Sequence, residues 1–225
     1  MNLVTRLFYI CYKSANRGGE IWHAQKVSRI LEQPDLQGYD ARPFHEAGSP
    51  EGEVKMNIFV MRHGQAVSQA STDALRPLTE HGEEEVCHMA QWLAQQVASF
   101  DRVLVSPYVR SRQTWQQVSR FIPGTRIDFC DELIPNADAD ITASLILAYS
   151  DVEQSQNLLV ISHMPLVGFL VESLCPATMA PIFVTSGVAK ITLEKGHGGL
   201  FNWLEGPHSI RPHRPRPWPL CGSMG

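Results

Sequence analysis

From residue 56 onward, short apolar runs alternate with amphipathic stretches along the chain. Four of the apolar runs have the length and composition of buried strands, which predicts strands over 56–61, 102–106, 126–130 and 157–162. Near the end, 187–205 has the pattern of a β-hairpin with its turn at 196–199. The apolar pattern therefore supplies the strands of a sheet.

Helical patterns separate these strands. One helix is predicted to begin near Thr79, because four apolar residues follow at spacings that place them on one helix face: Val86, Met89, Leu93 and Val97. Further helices are predicted over 110–121, 141–149 and 165–174, with Pro165 in the first turn of the last one. Strands that alternate with helices predict an α/β sandwich around a mostly parallel sheet.

The segments on either side of this pattern differ from it. Residues 1–55 lack steady periodicity and end in a Gly-, Pro- and Glu-rich linker at 38–53. They are interpreted either as a small accessory element or as the product of a start codon placed too early, with Met56 as the true initiator. Residues 208–225 are basic and rich in proline, and are predicted to be disordered. One domain is therefore expected over 56–207.

Composition and charge narrow the possible functions. Hydrophobic residues form 44% and charged residues 19% of the chain, which is typical of a soluble globular protein. Residues 56–207 carry 9 basic and 16 acidic side chains, so neither a nucleic-acid partner nor a membrane partner is expected. The five cysteines are scattered and form no Cys-x-x-Cys pair, which favours a reducing, cytoplasmic compartment. No signal peptide or transmembrane helix is recognised.

Polar residues appear where three of the predicted strands end. The first strand ends in Arg62, His63 and Gly64, the second is followed by Arg110, and the strand at 157–162 is followed by His163. In open parallel sheets the ligand lies outside the carboxyl ends of the strands. These side chains are therefore expected to share one pocket.

Two arginines beside two histidines favour a phosphoryl ligand, because guanidinium groups match phosphate oxygens. A neutral His63 nitrogen can attack phosphorus and form a phosphohistidine that water later hydrolyses, and nearby cations are expected to keep the pKa of His63 low. Gly64 would let the backbone turn sharply and approach the phosphate. His163 could bear a proton and stabilise charge on the equatorial oxygens.

Each of these residues also has a purely structural interpretation. His163 could be a hydrogen-bonded core histidine, and Arg110 a solvated surface cation. Only their coincidence at one sheet edge favours phosphate chemistry. Ser106 is interpreted as a helix-capping hydroxyl, because no Gly-x-Ser-x-Gly elbow surrounds it. Neither a metal site nor a cofactor is predicted, since the arginines would repel a divalent cation.

Three motifs resemble the histidine phosphatase (phosphoglycerate mutase-like) superfamily: VMRHGQA (60–66), SPYVRSRQT (106–114) and VISHMPLVG (160–168). The chain resembles in particular the small SixA-type phosphohistidine phosphatases, and this resemblance covers about 56–205. It implies a three-layer α/β/α sandwich around a mostly parallel, mixed sheet, without a large helical cap.

The resemblance also implies residue roles. His63 is similar to the phosphate-accepting nucleophile of the family, Arg62 and Arg110 to its phosphate ligands, and His163 to its second pocket histidine. Arg76, in RPLT, is similar to a further arginine that faces the phosphate in SixA-type enzymes. Together with Gly64, this set is the predicted catalytic and substrate-binding site.

Two positions bear on the rim of the pocket. Gln65 stands where an acidic residue is common in the family. Glu132 is a candidate for the general acid that larger relatives carry on an inserted segment. The interval between Arg110 and His163 leaves no room for such an insertion, so the pocket is expected to be shallow and open. An open pocket fits a phosphorylated side chain on a protein better than an enclosed sugar phosphate.

The leading hypothesis is a metal-independent protein phosphohistidine phosphatase that acts as a monomer through phospho-His63. By resemblance, its partner would be a histidine phosphotransfer domain of a two-component relay or a phosphocarrier protein. Two alternatives stay open: a small-molecule phosphatase or mutase of the same superfamily, and a non-catalytic phosphate-binding regulator.

Overall fold

A computed structural model describes residues 55–153, 156–194 and 198–210. The chain divides into two compact units, and of one of them only Ser144–Glu153 is described; every other described residue belongs to the second. Most of the predicted N-terminal segment and tail therefore lie outside the described residues. The packed core reaches at least Ile210, which is buried, three residues beyond the predicted boundary at 207.

Six strands form one sheet in the spatial order β3-β2-β4-β1-β5-β6. Their bounds are Lys55–Arg62 (β1), Phe100–Val105 (β2), Gly124–Phe129 (β3), Asn157–Ser162 (β4), Val188–Glu194 (β5) and Leu200–Glu205 (β6). β1, β2, β3 and β4 run parallel to one another, whereas β5 is antiparallel to both β1 and β6. The predicted mixed, mostly parallel sheet is confirmed.

Burial along the strands follows their position in the sheet. β4 lies between β1 and β2, and Leu158 to Ile161 are fully buried, as expected for a strand covered on both faces. β3 forms the edge, and its Ile127 and Phe129 remain exposed. An all-apolar run therefore marks the centre of the sheet, where the site is built.

Four helices accompany the strands: Glu80–Leu93 (α1), Val109–Val118 (α2), Ala139–Glu153 (α3) and Leu166–Leu174 (α4). Thr79 caps α1, as predicted, by accepting a hydrogen bond from the Gly82 amide at 2.9 Å. Val97 is buried but lies beyond the end of α1, and Pro165 is the N-cap of α4 rather than a residue of its first turn. None of the described helices is long and apolar enough to cross a membrane.

The helices α1, α2 and α4 are divided between the two faces of the sheet. On one face, α1 and α2 pack together, and Phe59 and Met61 of β1 share a core with Val86 and Met89 of α1. Alternate residues of β1, such as Ile58, point to the opposite face, and α4 packs on this strand. The result is the predicted three-layer α/β/α architecture.

The parallel register brings three strand ends to one edge. Arg62 at the end of β1 pairs with Ser162 at the end of β4, and Val105 at the end of β2 pairs with Ile161. The residues that follow these strands therefore emerge side by side.

Candidate active site

The sheet edge brings together three side chains that the sequence predicts to share a pocket. The rings of His63 and His163 have their centroids 4.9 Å apart, and both side chains are buried, with exposures of 9% and 1%. Arg110 Nε lies 3.1 Å from His63 Nε2. A guanidinium and two imidazoles thus form the centre of a candidate site.

His63 is held as a neutral imidazole whose tautomer its partners define. Its Nδ1–H donates to the Gly64 carbonyl at 2.7 Å, so Nε2 carries the lone pair and accepts from Arg110. Burial lowers the pKa of His63 to about 4; the bond to the Gly64 carbonyl opposes this, and the charges of Arg110, Arg62 and Arg76 reinforce it. The low pKa agrees with the sequence expectation, although burial contributes more than the cations.

Arg110 is fixed by partners on all three of its nitrogens. Besides His63, its NH1 donates to the Asp73 carbonyl at 2.6 Å and its NH2 to Asp73 Oδ2 at 2.9 Å, while the guanidinium lies 4.9 Å from the centre of the Tyr108 ring. Arg110 is only 4% exposed, so the interpretation as a solvated surface cation is wrong.

Asp73 is a residue of the site that the sequence analysis missed. It lies in a 3₁₀ helix, Asp73–Leu75, and its carboxylate bridges Arg110 and Arg76, accepting from Arg76 NH1 at 2.8 Å. Partial burial raises the pKa of Asp73, but hydrogen bonds from Arg76 and Arg110 lower it overall, so the group is ionised at neutral pH. The sequence gives one indication of this role, which is that Asp73 stands three residues before Arg76.

The other two arginines differ in how their donors are used. Arg76 Nε donates to the Val67 carbonyl at 2.6 Å, which directs this side chain along the segment before α1. Arg62 NH1 donates to the Phe183 carbonyl at 2.7 Å, whereas its Nε is buried and makes no hydrogen bond within the described part of the chain. Burial lowers the pKa of Arg62 and nearby Glu85 opposes this shift. Arg62 therefore keeps a buried donor that no described residue uses.

The end of the SPYVRSRQT motif, from Arg110 to Thr114, has a structural explanation. Thr114 Oγ1 accepts from the Gly64 amide at 3.2 Å and donates to the Arg110 carbonyl at 2.7 Å. Gln113 Oε1 accepts from the Leu78 amide at 2.7 Å. One turn of α2 thus holds the strand end that carries His63 and the segment that follows Arg76.

Close packing gives a reason for the glycine after His63. A Cβ on Gly64 would lie 2.7 Å from both the Gly82 carbonyl and Val86 Cγ2 of α1, which is too close for any side chain. The neighbouring Gln65 accepts from Thr79 twice, through its carbonyl and through its side-chain Oε1, both at 2.9 Å. Gln65 therefore links the His63 loop to the start of α1, while its own side chain is exposed.

His163 is buried against two serine hydroxyls. Its Nε2 lies 2.7 Å from Ser106 Oγ and 3.4 Å from Ser111 Oγ, while its Nδ1 is buried and makes no hydrogen bond to any described residue. Burial lowers the pKa of His163 to about 2, and the neighbouring His63 and the charge of Arg110 act in the same direction. Burial therefore favours the neutral form of His163, and an additional proton on this ring stays a prediction.

Ser106 does not have its predicted role. The N-cap of α2 is Tyr108, which makes no side-chain cap bond, and the Tyr108 amide meets Ser106 Oγ only at 3.5 Å. The shorter contact of Ser106 is the one to His163. The capping interpretation is wrong because the hydroxyl turns inward, toward the end of β4.

A turn between α4 and β5 braces the backbone of the site. The Ser186 amide donates to the His63 carbonyl at 3.2 Å, and the Gly187 carbonyl accepts from the Arg62 amide at 2.9 Å. Ser186 has a φ of 60°, which is uncommon for a residue other than glycine. Thr185 Oγ1 donates to Glu85 of α1 at 2.9 Å, so the turn is anchored on both sides.

Glu132, the candidate general acid, lies in the 3₁₀ helix Asp131–Leu133 that follows β3. Its carbonyl accepts from Thr142 Oγ1 at 2.7 Å. The carboxylate in contact with Arg110 and Arg76 is instead that of Asp73. A proton-donating role for Glu132 stays a prediction.

Metal binding gains no support from the described residues. Among them, no group of three or more histidine, cysteine, aspartate or glutamate side chains is placed to hold an ion. His63 faces a guanidinium, which disfavours a divalent cation at the same nitrogen.

Burial of neutral histidine predicts a loss of stability in acid. In the unfolded chain His63 takes up a proton near its ordinary pKa of 6.5, but in the folded protein it does so only near 4. The unfolded state therefore binds more protons between these values, so the free energy of unfolding is expected to fall as the pH falls from 6.5 to 4. Replacing His63 with glutamine, which does not titrate, should flatten this dependence in urea denaturation curves. If the free energy of unfolding depends on pH as steeply in His63→Gln as in the exposed control His208→Gln, this prediction is contradicted.

Comparison with known proteins agrees with this geometry. Residues 58–134 match the histidine phosphatase superfamily (branch 1). Phosphohistidine phosphatase SixA of Escherichia coli (strain K12) is 40% identical over 157 residues, which cover 69% of this chain and 97% of that protein. The phosphohistidine phosphatase SixA homolog of Haemophilus influenzae is 32% identical over 157 residues, covering 62% of this chain and 95% of that protein.

A solved structure supports the same assignment. The structure of the protein histidine phosphatase SixA complexed with tungstate superposes with a TM-score of 0.67 at 39% identity, and the match covers 69% of this chain and 100% of that one. Since sequence and fold agree over nearly the whole length of these relatives, the chain belongs to the histidine phosphatase superfamily.

Proposed function

We propose that this protein is a phosphohistidine phosphatase, which removes the phosphoryl group from a histidine of another protein through a covalent phosphohistidine at His63. One observation carries the proposal: His63 is a buried neutral imidazole whose Nδ1–H is committed to the Gly64 carbonyl, which leaves the Nε2 lone pair beside Arg110. This is the state in which a histidine attacks phosphorus. The SixA relatives bear the name of this activity.

The reaction has two steps at His63. In the first, Nε2 forms a bond to phosphorus, the substrate P–N bond breaks, and the substrate nitrogen keeps the electron pair and takes a proton from solvent. In the second, a water oxygen attacks phosphorus and loses a proton to solvent, the bond to Nε2 breaks with its electron pair returning to that nitrogen, and inorganic phosphate leaves. Arg110, Arg62 and Arg76 stabilise the charge on the phosphoryl oxygens in both steps, because phosphoryl transfer depends on positioning and electrostatics.

The charge state of Asp73 favours a nitrogen leaving group. Asp73 is the carboxylate that contacts the site's arginines, and it is ionised, so it is poorly suited to donate a proton to a leaving alkoxide. A phosphohistidine needs a strong general acid less, because an imidazole is a better leaving group than an alkoxide. Phosphohistidine is therefore preferred to a phosphate ester as the substrate.

The partner that fits this chemistry is a histidine phosphotransfer domain or a phosphocarrier protein, acted on by a monomeric enzyme. The buried thiols of Cys130 and Cys175, which form no disulfide with a described residue, support a reducing, cytoplasmic setting. Burial raises the pKa of Cys130 to about 12 and that of Cys175 to about 11, so these two thiols stay protonated.

Substrate class is tested with the full chain. Rates of phosphate release are measured on a phosphorylated histidine phosphotransfer domain, a phosphorylated phosphocarrier protein, 3-phosphoglycerate and a sugar phosphate, at equal concentrations. We expect kcat/KM to be highest on a protein phosphohistidine, with His63→Ala as the blank for spontaneous hydrolysis. A preference for a small molecule would favour the mutase alternative, and binding without release of phosphate would favour a regulator.

A further inference from the structure

The second histidine of the site has a hydrogen-bond arrangement that restricts where its proton lies. Ser106 is fully buried at the end of β2, and two contacts surround its hydroxyl: His163 Nε2 at 2.7 Å and the Tyr108 amide at 3.5 Å. The amide is a donor and cannot accept, so it offers no partner for the Ser106 hydroxyl proton. Among the described residues, His163 Nε2 is then the acceptor in contact with the Ser106 hydroxyl proton.

A neutral imidazole has one ring proton, so an accepting Nε2 places that proton on Nδ1. In His163 this nitrogen is buried and has no hydrogen-bond partner in the described part of the chain. A buried donor without a partner costs free energy, and such a group calls for a ligand. The charged groups around His163 are Arg110, Asp73 and Arg62, beside His63, and two of these are cations that favour an anion.

We propose that Ser106 is a positioning residue that fixes His163 in the tautomer with its proton on Nδ1, so that His163 donates a hydrogen bond to a phosphoryl oxygen as an uncharged group. The identity of that oxygen rests on the proposed function, whereas the tautomer is a property of the protein alone. His163 thus acts as a directional donor, and the positive charge of the site comes from its arginines.

The opposite tautomer is disfavoured at both ends of the ring. With the proton on Nε2, the Ser106 hydroxyl would lose the acceptor it contacts at 2.7 Å. Nδ1 would then present a lone pair to the phosphoryl oxygens, which repels them. Both consequences follow from moving a single proton.

Ser111 supplies a matched control. Its hydroxyl lies 3.4 Å from the same nitrogen of His163, which is near the limit for a hydrogen bond, and it is also fully buried. Ser106→Ala and Ser111→Ala therefore each remove a buried hydroxyl oxygen that contacts the same nitrogen, one at a short and one at a long distance.

The tautomer is measured by NMR on the full chain with ¹⁵N-labelled histidine and without substrate. We expect the His163 ring to show a protonated Nδ1 and an unprotonated Nε2 at neutral pH, and Ser106→Ala to abolish this preference while Ser111→Ala retains it. A wild-type proton on Nε2, or an unchanged tautomer in folded Ser106→Ala, overturns the proposal. The wild-type spectrum tests the tautomer even if the variant fails to fold.

Ligand binding supplies the second readout, with tungstate as the probe in isothermal titration. Loss of one hydrogen bond to an anion predicts that Ser106→Ala binds tungstate roughly 10- to 100-fold more weakly, with Ser111→Ala within about twofold of wild type. Ser106→Thr, which keeps the hydroxyl, should restore the Nδ1–H tautomer and the affinity. Unchanged affinity in Ser106→Ala would refute the donor role of His163. Failure of His63 to trap phosphate would refute the proposed function and leave the tautomer result standing.

Discussion

Replacing His63 with alanine is expected to abolish phosphohistidine hydrolysis, with a loss in kcat of at least about 10⁴-fold, as for enzymes that lose their nucleophile. The lone pair of His63 Nε2 lies beside Arg110. No other group in the proposed reaction accepts the phosphoryl group. The same change should abolish transfer of label to the enzyme. A ³²P-labelled phosphoprotein substrate is mixed with enzyme and quenched with denaturant at alkaline pH, because the N–P bond hydrolyses in acid. Label on the enzyme is then counted.

His208 provides the control for this experiment. It is an exposed histidine in the turn after β6, and His208→Ala should retain wild-type turnover and wild-type labelling. The alanine at position 63 removes a buried side chain, so folding is checked by the chemical denaturation midpoint. Full turnover by a folded His63→Ala variant would contradict the covalent mechanism. If the wild-type enzyme released phosphate but carried no label, water would be attacking the phosphorus of the substrate directly.

The meeting of His63, Arg110 and His163 was predictable because it depends on topology. Each residue follows a run of apolar residues, and such runs form the inner strands of a parallel sheet. Once β1 and β2 lie parallel on either side of β4, the carboxyl ends of all three strands share one edge of the sheet, whatever conformation the loops adopt. Sequence periodicity was therefore sufficient to place residues that are far apart along the chain.

The partners of these residues were not predictable in the same way. Asp73 reaches Arg110 from a 3₁₀ helix in an irregular segment, and Ser106 meets His163 through a side-chain rotamer. No periodic pattern encodes contacts of this kind, because they depend on the path of one loop and on a single torsion angle. The low pKa of His163 was not predictable for a related reason: the pKa depends on burial, and a strand-end position does not reveal how deep the side chain lies.

Replacing Arg110 with alanine is expected to lower kcat/KM by roughly 10²- to 10³-fold, the loss typical of one strong donor to a developing oxyanion. Its guanidinium is held by Asp73 and stacked near Tyr108, so its orientation is set before substrate arrives. Arg110→Lys keeps the charge but loses the planar fork, and should recover only part of the rate. The change should also raise the pKa of His63, since the charge of Arg110 lowers it. The acid limb of the pH–rate profile should then move to higher pH in Arg110→Ala.

Arg112 is the matched control, because it lies in the same helix two residues later. It is exposed and its guanidinium stacks 4.4 Å from the Phe129 ring. Arg112→Ala removes the same charge and length of side chain, and should leave kcat/KM within about twofold of wild type, as is usual for a surface substitution. Equal losses in the two variants would mean that the net charge of α2, and not the geometry of Arg110, accounts for the rate. A loss confined to Arg110, with a shifted acid limb, is the result that the contact between Arg110 Nε and His63 Nε2 demands.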